Sequence, residues 1–413
     1  MTNLTQIGKQ AKAAARKLAS FDTVTKNKGL LSMADALVAN QQVILTANKQ
    51  DLASANEMPK KFLDRLMLNE QRITDMANGL RSIAQLSDPT AEIDRGWFNA
   101  DGLQIIQRRV PLGVIGIIFE ARPNVTADAT GLTFKSGNAV ILRGGKEALQ
   151  TNLAITKILR EALIQIDLPA DAVQMVSDPS HESAQEMMNL TGYIDVLIPR
   201  GGRGLIQRVV KTATVPVIET GAGNCHVYVD RDANLDMATA ITVNAKVQRP
   251  SVCNAAEKLL IHRQVAPTFL PVIAKALIKH GVHLRGDETT CQIMPEISPA
   301  TKKDWDTEYN DLIMAVKVVD SLDEAITHIN DHSTHHSETI VTDNLERGQK
   351  FQEQIDSACV YVNASTRFTD GGMFGFGAEI GISTQKLHAR GPMGLSQLTT
   401  IKYEITGNGQ VRK

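Results

Sequence analysis

The sequence predicts an α/β protein with two sheet-containing units and a small β arm, on three observations. Short apolar runs alternate with stretches of helical spacing, the pattern of buried parallel strands joined by crossover helices. That alternation pauses around Cys253 and then resumes, which marks a second unit. Polar or Gly-rich turns stand at the ends of the predicted strands, where open α/β sheets gather their ligands.

In chain order, residues 1 to about 90 carry Leu30, Leu31, Met33, Ala34, Leu37 and Val38 at helical spacing, with hardly any Gly or Pro around them. They predict two or three amphipathic helices. Apolar residues then alternate from Leu103 to Val110, and Pro111 and Gly113 close the run, so an exposed strand or hairpin arm is expected there. Such an arm seeks a partner subunit. Strands follow at Val114–Phe119, Ala139–Leu142, Val173–Val176, Val196–Ile198 and Val215–Ile218, with helices near 123–136, 146–164, 181–190 and 202–212. Together these form a doubly wound sheet. The second unit has strands at Lys258–His262, Ala315–Val319, Thr339–Thr342 and Ala358–Asn363, and helices near 265–280 and 322–331. A Gly-rich stretch, Gly371 to Gly377, interrupts the order before a final strand over Gln397–Thr406.

Composition narrows the function classes. With 413 residues, 43% of them hydrophobic, the chain has material for two or three domains without disulfides or metal. Its 44 Lys and Arg against 45 Asp and Glu leave no overall field to draw nucleic acid or an anionic membrane. Cys225, Cys253, Cys291 and Cys359 are far apart, with no CxxC pair and no secretory segment before them, so free thiols in a cytoplasmic, reducing compartment are expected. The apolar runs are far too short to span a bilayer.

Four segments join Gly or Pro to reactive or charged side chains. In Phe119 to Thr126, Pro123 suits a first helical turn and Asn124 can offer its amide to an oxyanion, though a plain polar loop reads equally well. In Ile141 to Lys146, Arg143 and Lys146 are placed for a phosphate at a helix start. The GxGxxG fingerprint is missing, and taken alone this segment is a solvated turn. In Pro199 to Gly204 the glycines, Gly201 and Gly202 among them, allow backbone to approach an anion, or serve only a flexible turn. The sharpest constellation joins Val217 to His226 with Val247 to Glu257. A nucleophilic cysteine must reach the thiolate and so belongs in a polar turn. Cys253 meets that condition; Cys225, Cys291 and Cys359 read as small core residues. By composition alone a buried structural thiol is the commoner meaning even at 253. His332, His335 and His336 read as surface imidazoles at a helix end, with no metal. Glu257 and Lys258 read as a solvated strand edge.

These segments, in this order, resemble the aldehyde dehydrogenase superfamily and, more closely, its phosphorylating branch. The likeness rests on 109–116 (RVPLGVIG), 119–126 (FEARPNVT), 135–145 (KSGNAVILRGG), 199–202 (PRGG), 219–226 (ETGAGNCH) and 250–255 (PSVCNA), and extends over essentially the whole chain. The resemblance implies a Rossmann-type cofactor domain over 1–225 with a return segment near 364–389. It also implies a catalytic domain over 226–363, and an oligomerisation arm from 97–110 and 390–413 that makes a homo-oligomer. Cys253 would be the attacking thiol, displacing phosphate from L-glutamyl 5-phosphate, and NADPH would reduce the resulting thioester to the semialdehyde that feeds proline synthesis. The oxyanion would meet the Asn124 amide and the Cys253 N–H. Arg143 and Lys146 would meet the NADP 2′-phosphate, and Gly201 and Gly202 would face the cofactor. Glu219, where hydrolytic relatives keep a base, and Arg122 would line the catalytic site. The sequence departs from the wider superfamily at Ala121, which takes the usual place of the oxyanion asparagine, and at Pro250, which replaces a glycine before the thiol. Two other readings stay open: an NAD-dependent aldehyde oxidiser releasing a free acid, and an inactive paralogue serving as a scaffold.

Overall fold

The computed structural model describes residues 3–55 and 60–412. Five helices, rather than two or three, fill the first stretch: α1 (Leu4–Leu18), α2 (Thr23–Ala39), α3 (Gln41–Ser54), α4 (Lys60–Leu66) and α5 (Glu70–Gln85). Their starts are set by short polar side chains that accept from otherwise unpaired N–H groups. Asn3 accepts from Gln6, Asp22 from Thr25 and Asn69 from Arg72. Between α2 and α3 the axis turns by 67° at Asn40, with neither Gly nor Pro to announce the break. No single helix among the described residues is long and apolar enough to cross a membrane.

Two compact units divide the chain. The first comprises residues 1–220, 375–381 and 393–413. After the arm strands β1 (Ile93–Phe98) and β2 (Gln104–Pro111) it carries β3 (Val114–Phe119), α6 (Asn124–Lys135), β4 (Ala139–Arg143), α7 (Leu149–Ile164), β5 (Val173–Met175), α8 (His181–Met188), β6 (Val196–Arg200) and α9 (Arg203–Thr212). The four strands after the arm form a parallel sheet in the order β5-β4-β3-β6. Every residue of β3 is buried, as a strand covered on both faces requires. The strand expected at 215–218 is instead an isolated bridge from Val217 to Leu197. Pro216 has no N–H to extend the ladder; its carbonyl accepts from Leu197 N, Ile218 N donates back to Leu197 O, and the pairing goes no further.

The expected arm is present as a three-stranded antiparallel sheet. β1 and β2 form the hairpin, and the strand Thr399–Thr406 pairs with β2 from Thr399 opposite Pro111 to Thr406 opposite Gln104. Buried Asn138 fastens its root: Nδ2 donates to Leu398 O at 2.9 Å and Oδ1 accepts from Gly113 N at 2.8 Å. Ile93, Phe98, Ile401 and Ile405 are exposed on this sheet.

The second unit comprises residues 221–374 and 382–392. Its sheet has seven strands: β7 (Cys225–Val229), β8 (Ala256–His262), β9 (His283–Gly286), β10 (Ser298–Pro299), β11 (Ile313–Val319), β12 (Ser337–Val341) and β13 (Cys359–Val362). They run parallel in the order β10-β9-β11-β8-β7-β12-β13. The helices Leu235–Val247 and Ala266–Lys279 cover one face, packing Ile241, Phe269 and Ile273 against Leu259, Ile261 and Val316.

Candidate active site

Cys253 lies half-buried in a turn between the helix Leu235–Val247 and β8. The turn is clamped from two sides. On one side the backbone of Gly223 runs against it, so that an added Cβ would overlap the Cys253 carbonyl oxygen and lie 2.7 Å from its Cα. Gly223 is held in turn by its N–H, which donates to Glu308 Oε1 at 2.7 Å. On the other side Asn254 Nδ2 donates to Thr369 O at 2.8 Å, and Thr366 Oγ1 donates to Asn254 O at 2.7 Å. A nucleophile needs this kind of fixed presentation.

The other thiols differ from it. Cys225 is fully buried, its Sγ donating to the Cys253 carbonyl at 3.2 Å, and burial raises its pKa well above the ordinary thiol range. Cys359 is buried as well, whereas Cys291, expected in the core, is half-buried.

Two charged features run against the sequence reading. Glu257 and Lys258 are not a solvated strand edge but are fully buried, because β8 is interior to the sheet. Lys246 Nζ stands 3.0 Å from Glu257 Oε2, and Lys258 Nζ donates to Thr307 O at 2.7 Å. Burial pushes the Glu257 carboxyl up to about 7 and the Lys258 ammonium down to about 8. His336 is likewise not a surface imidazole: it is buried immediately before β12, with its pKa lowered to about 4 by desolvation. His332 and His335 are half-buried. Next to them, His226 Nδ1 meets Glu338 Oε2 at 3.0 Å. Burial lowers the histidine and raises the carboxyl, so we treat this pair as a neutral hydrogen bond and not as an ion pair.

In the first unit the expected anion-binding turns follow β4 and β6. At the second, Glu120 has taken the position: Gly202 N donates to Glu120 Oε2 at 2.9 Å, and a Cβ on Gly201 would lie 2.6 Å from the same carboxyl. The start of α9 thus already holds an acidic partner from its own chain. At the first turn, Arg143 Nη2 donates to Pro179 O at 2.5 Å and Ser180 O at 2.9 Å, while Lys146 is exposed. Arg143 Nε and Asn152 Nδ2 are buried donors without an acceptor among the described residues, and Gly144 leaves no room for a side chain beside Asn152. Unfilled donors beside an exposed cation fit an acceptor-rich ligand such as a nucleotide.

Asn124 is the first residue of α6, and its Nδ2 donates to Asp128 Oδ2 at 2.9 Å. Burial raises the Asp128 carboxyl despite Asn124 and Arg200. Arg122 is exposed in the turn before α6, and Glu219 is half-buried.

Sequence reasoning missed Arg367. It lies in the turn Thr366–Phe368, and its Nε donates to Gln248 Oε1 at 2.8 Å. A signal was present: the polar run Asn-Ala-Ser-Thr-Arg follows β13 directly, just as the selected turns follow their strands.

Comparison with known proteins agrees with this architecture. The aldehyde dehydrogenase family matches residues 2–312 and 302–403. The chain is 75% identical to a γ-glutamyl phosphate reductase of Limosilactobacillus reuteri, over 100% of its own length and 99% of the relative's. With a γ-glutamyl phosphate reductase of Lacticaseibacillus paracasei identity is 67%, over 100% and 98%. The crystal structure of a γ-glutamyl phosphate reductase from Thermotoga maritima superposes with a TM-score of 0.98 at 49% identity, covering 100% of both chains.

Proposed function

The chain belongs to the aldehyde dehydrogenase family and within it to the γ-glutamyl phosphate reductases, and we propose that it makes L-glutamate 5-semialdehyde and phosphate from L-glutamyl 5-phosphate in proline biosynthesis. The reading extends to NADPH as the reductant, a thioester on Cys253 as the intermediate and the cytoplasm as the setting. The observation that carries it is the half-buried Cys253 thiol, on a turn clamped between Gly223 and the Thr366–Thr369 segment.

The Cys253 sulfur attacks the γ-carbonyl carbon. A C–S bond forms, the C–O bond to phosphorus breaks, and phosphate departs with the thiol proton. When bound, NADPH would supply a hydride to the thioester carbon; the C–S bond then breaks, releasing the aldehyde and returning Cys253 as thiolate. The Cys253 N–H and the Asn124 amide serve the oxyanion, with Asp128 holding Asn124 by one of its two amide hydrogens. Lys146, with Arg143 at its side, would hold the cofactor's 2′-phosphate, and the Gly201–Gly202 turn would face the cofactor. Glu219 and Arg122 line the substrate space. The first unit is the cofactor-binding domain, the second carries the nucleophile, and the arm joins subunits of a homo-oligomer.

Mass spectrometry tests this. After incubation with glutamate semialdehyde and NADP+ in the absence of phosphate, the glutamyl adduct is expected on Cys253, and added phosphate is expected to release it. Cys253→Ser should abolish turnover and keep NADP binding within about twofold. An adduct on another residue, or turnover to free glutamate that needs no phosphate, refutes the reading.

A further inference from the structure

Arg367 lies on the segment that clamps the residue after the nucleophile. The residue after Cys253 is tied to the segment around Arg367 at both ends: Asn254 Nδ2 donates to Arg367 O at 3.4 Å and Thr369 O at 2.8 Å, and its carbonyl accepts from Thr366. The Arg367 side chain is half-buried and steered by its Nε bond to Gln248 at the end of the helix Leu235–Val247. Among the described residues only that Nε edge is engaged, which leaves the Nη edge of the guanidinium for a ligand. Burial lowers the Arg367 pKa, the neighbouring Arg249 charge adds to this, and the Cys253 thiol and the Asp370 carboxyl act against it. Asp370, on the same segment, already accepts from Gly372 and Met373. A half-buried guanidinium with an unengaged edge favours an added anion.

We propose that Arg367 binds the phosphoryl group of the acyl phosphate and receives it as it leaves the substrate's γ-carbonyl carbon. This rests on the thioester reading. The choice of anion follows from bond counting. In a γ-glutamyl phosphate the phosphorus is two bonds from the attacked carbon, whereas the α-carboxylate carbon is four bonds away. A cation on the segment that clamps the thiol's own turn meets the nearer group first. A guanidinium fork also matches phosphate geometry through paired N–H donors. In the step itself the S–C bond forms and the C–O bond breaks. The thiol proton leaves on phosphate, and Arg367 keeps its charge throughout.

The test runs the reaction backwards, oxidising glutamate semialdehyde with NADP+ and inorganic phosphate. Arg367→Gln is expected to raise the phosphate KM at least about tenfold, equivalent to about 1.4 kcal/mol, with the semialdehyde KM within about twofold. Arg367→Lys should fall between. A phosphate KM that does not move, or a rise confined to the semialdehyde KM, overturns the proposal, the latter by assigning Arg367 to the carboxylate. Should the Gln variant fold poorly, inorganic phosphate must still protect Cys253 of the unmutated protein from iodoacetamide, and more phosphate must be needed in the Lys variant; equal protection in both counts against it. The Cys253 adduct assayed in parallel separates the two ideas: an adduct with an unmoved phosphate KM sinks only the Arg367 role, and no adduct sinks the thioester.

Discussion

The carbonyl of Cys253 fills the space that a Cβ on Gly223 would need. This packing, across thirty positions of sequence, sets the height of the nucleophile over β7 and β8. Gly223→Ala is therefore expected to push the Cys253 turn outward. Overpacking of this kind destabilises by about 1–3 kcal/mol. A shift of the sulfur near 1 Å lowers kcat on the order of 10²-fold. Thermal unfolding and steady-state kinetics check this, with NADP affinity expected to stay within about twofold.

Arg143 and Lys146 should separate under mutation, although the sequence pairs them. Arg143 donates to two backbone carbonyls, so Arg143→Ala removes structural bonds and should destabilise the first unit by about 1–3 kcal/mol. Lys146 is exposed, and Lys146→Ala should leave stability within about 0.5 kcal/mol. It should also weaken NADP about tenfold more than NAD, through one lost charge-assisted contact. Calorimetric titration with both cofactors reads the difference; equal weakening removes Lys146 from the 2′-phosphate.

Acid should loosen the second unit in a defined window. His336 and His328 are held neutral by burial, at about 4 and about 2 against an ordinary 6.5. Their folded pKa values are depressed, so below pH 6.5 the unfolded chain binds more protons and stability falls as pH falls. The slope reaches about 1.4 kcal/mol per pH unit for each. Glu338, pushed by burial up to about 8, opposes this between pH 8 and its ordinary 4.5, where the folded state holds the extra proton. The steepest loss is thus expected below about pH 4.5. Urea unfolding at pH 7, 5.5 and 4 checks it, and His336→Gln should flatten the profile above pH 4.

The exposed apolar side chains of the arm predict an interface. Phe98→Asp combined with Ile405→Asp is expected to lower the mass seen in sedimentation velocity to that of the single chain, with little change in melting temperature, because neither side chain belongs to a buried core. An unchanged mass would remove the arm from the assembly.

Much of this molecule was legible from its residues because the strands are buried on both faces and end in punctuated turns. Val114–Phe119 is fully apolar and stands where it was read, and the turn at 253 was found by asking where a thiolate can exist. The errors share a cause in distant contacts. Glu257 and Lys258 look solvated until Lys246 and Thr307, eleven and forty-nine positions away, come into reach. His336 looks like a surface imidazole until β12 closes over it. Asn40 breaks a helix with a residue that carries no strong stop signal, and Pro216 shortens a strand through a missing N–H that a hydrophobic pattern does not register.

The arm also bears on how the chain is made. β2 ends at residue 111 and its partner strand begins at 399, so a ribosome must add 288 residues (399 − 111) before the sheet can close. At about 5–20 residues per second that is a wait of roughly 15–60 s. Throughout it the far edge of the newborn hairpin offers unpaired backbone to any neighbouring chain. Crowded polysomes are therefore a setting in which this hairpin is exposed to faulty pairing.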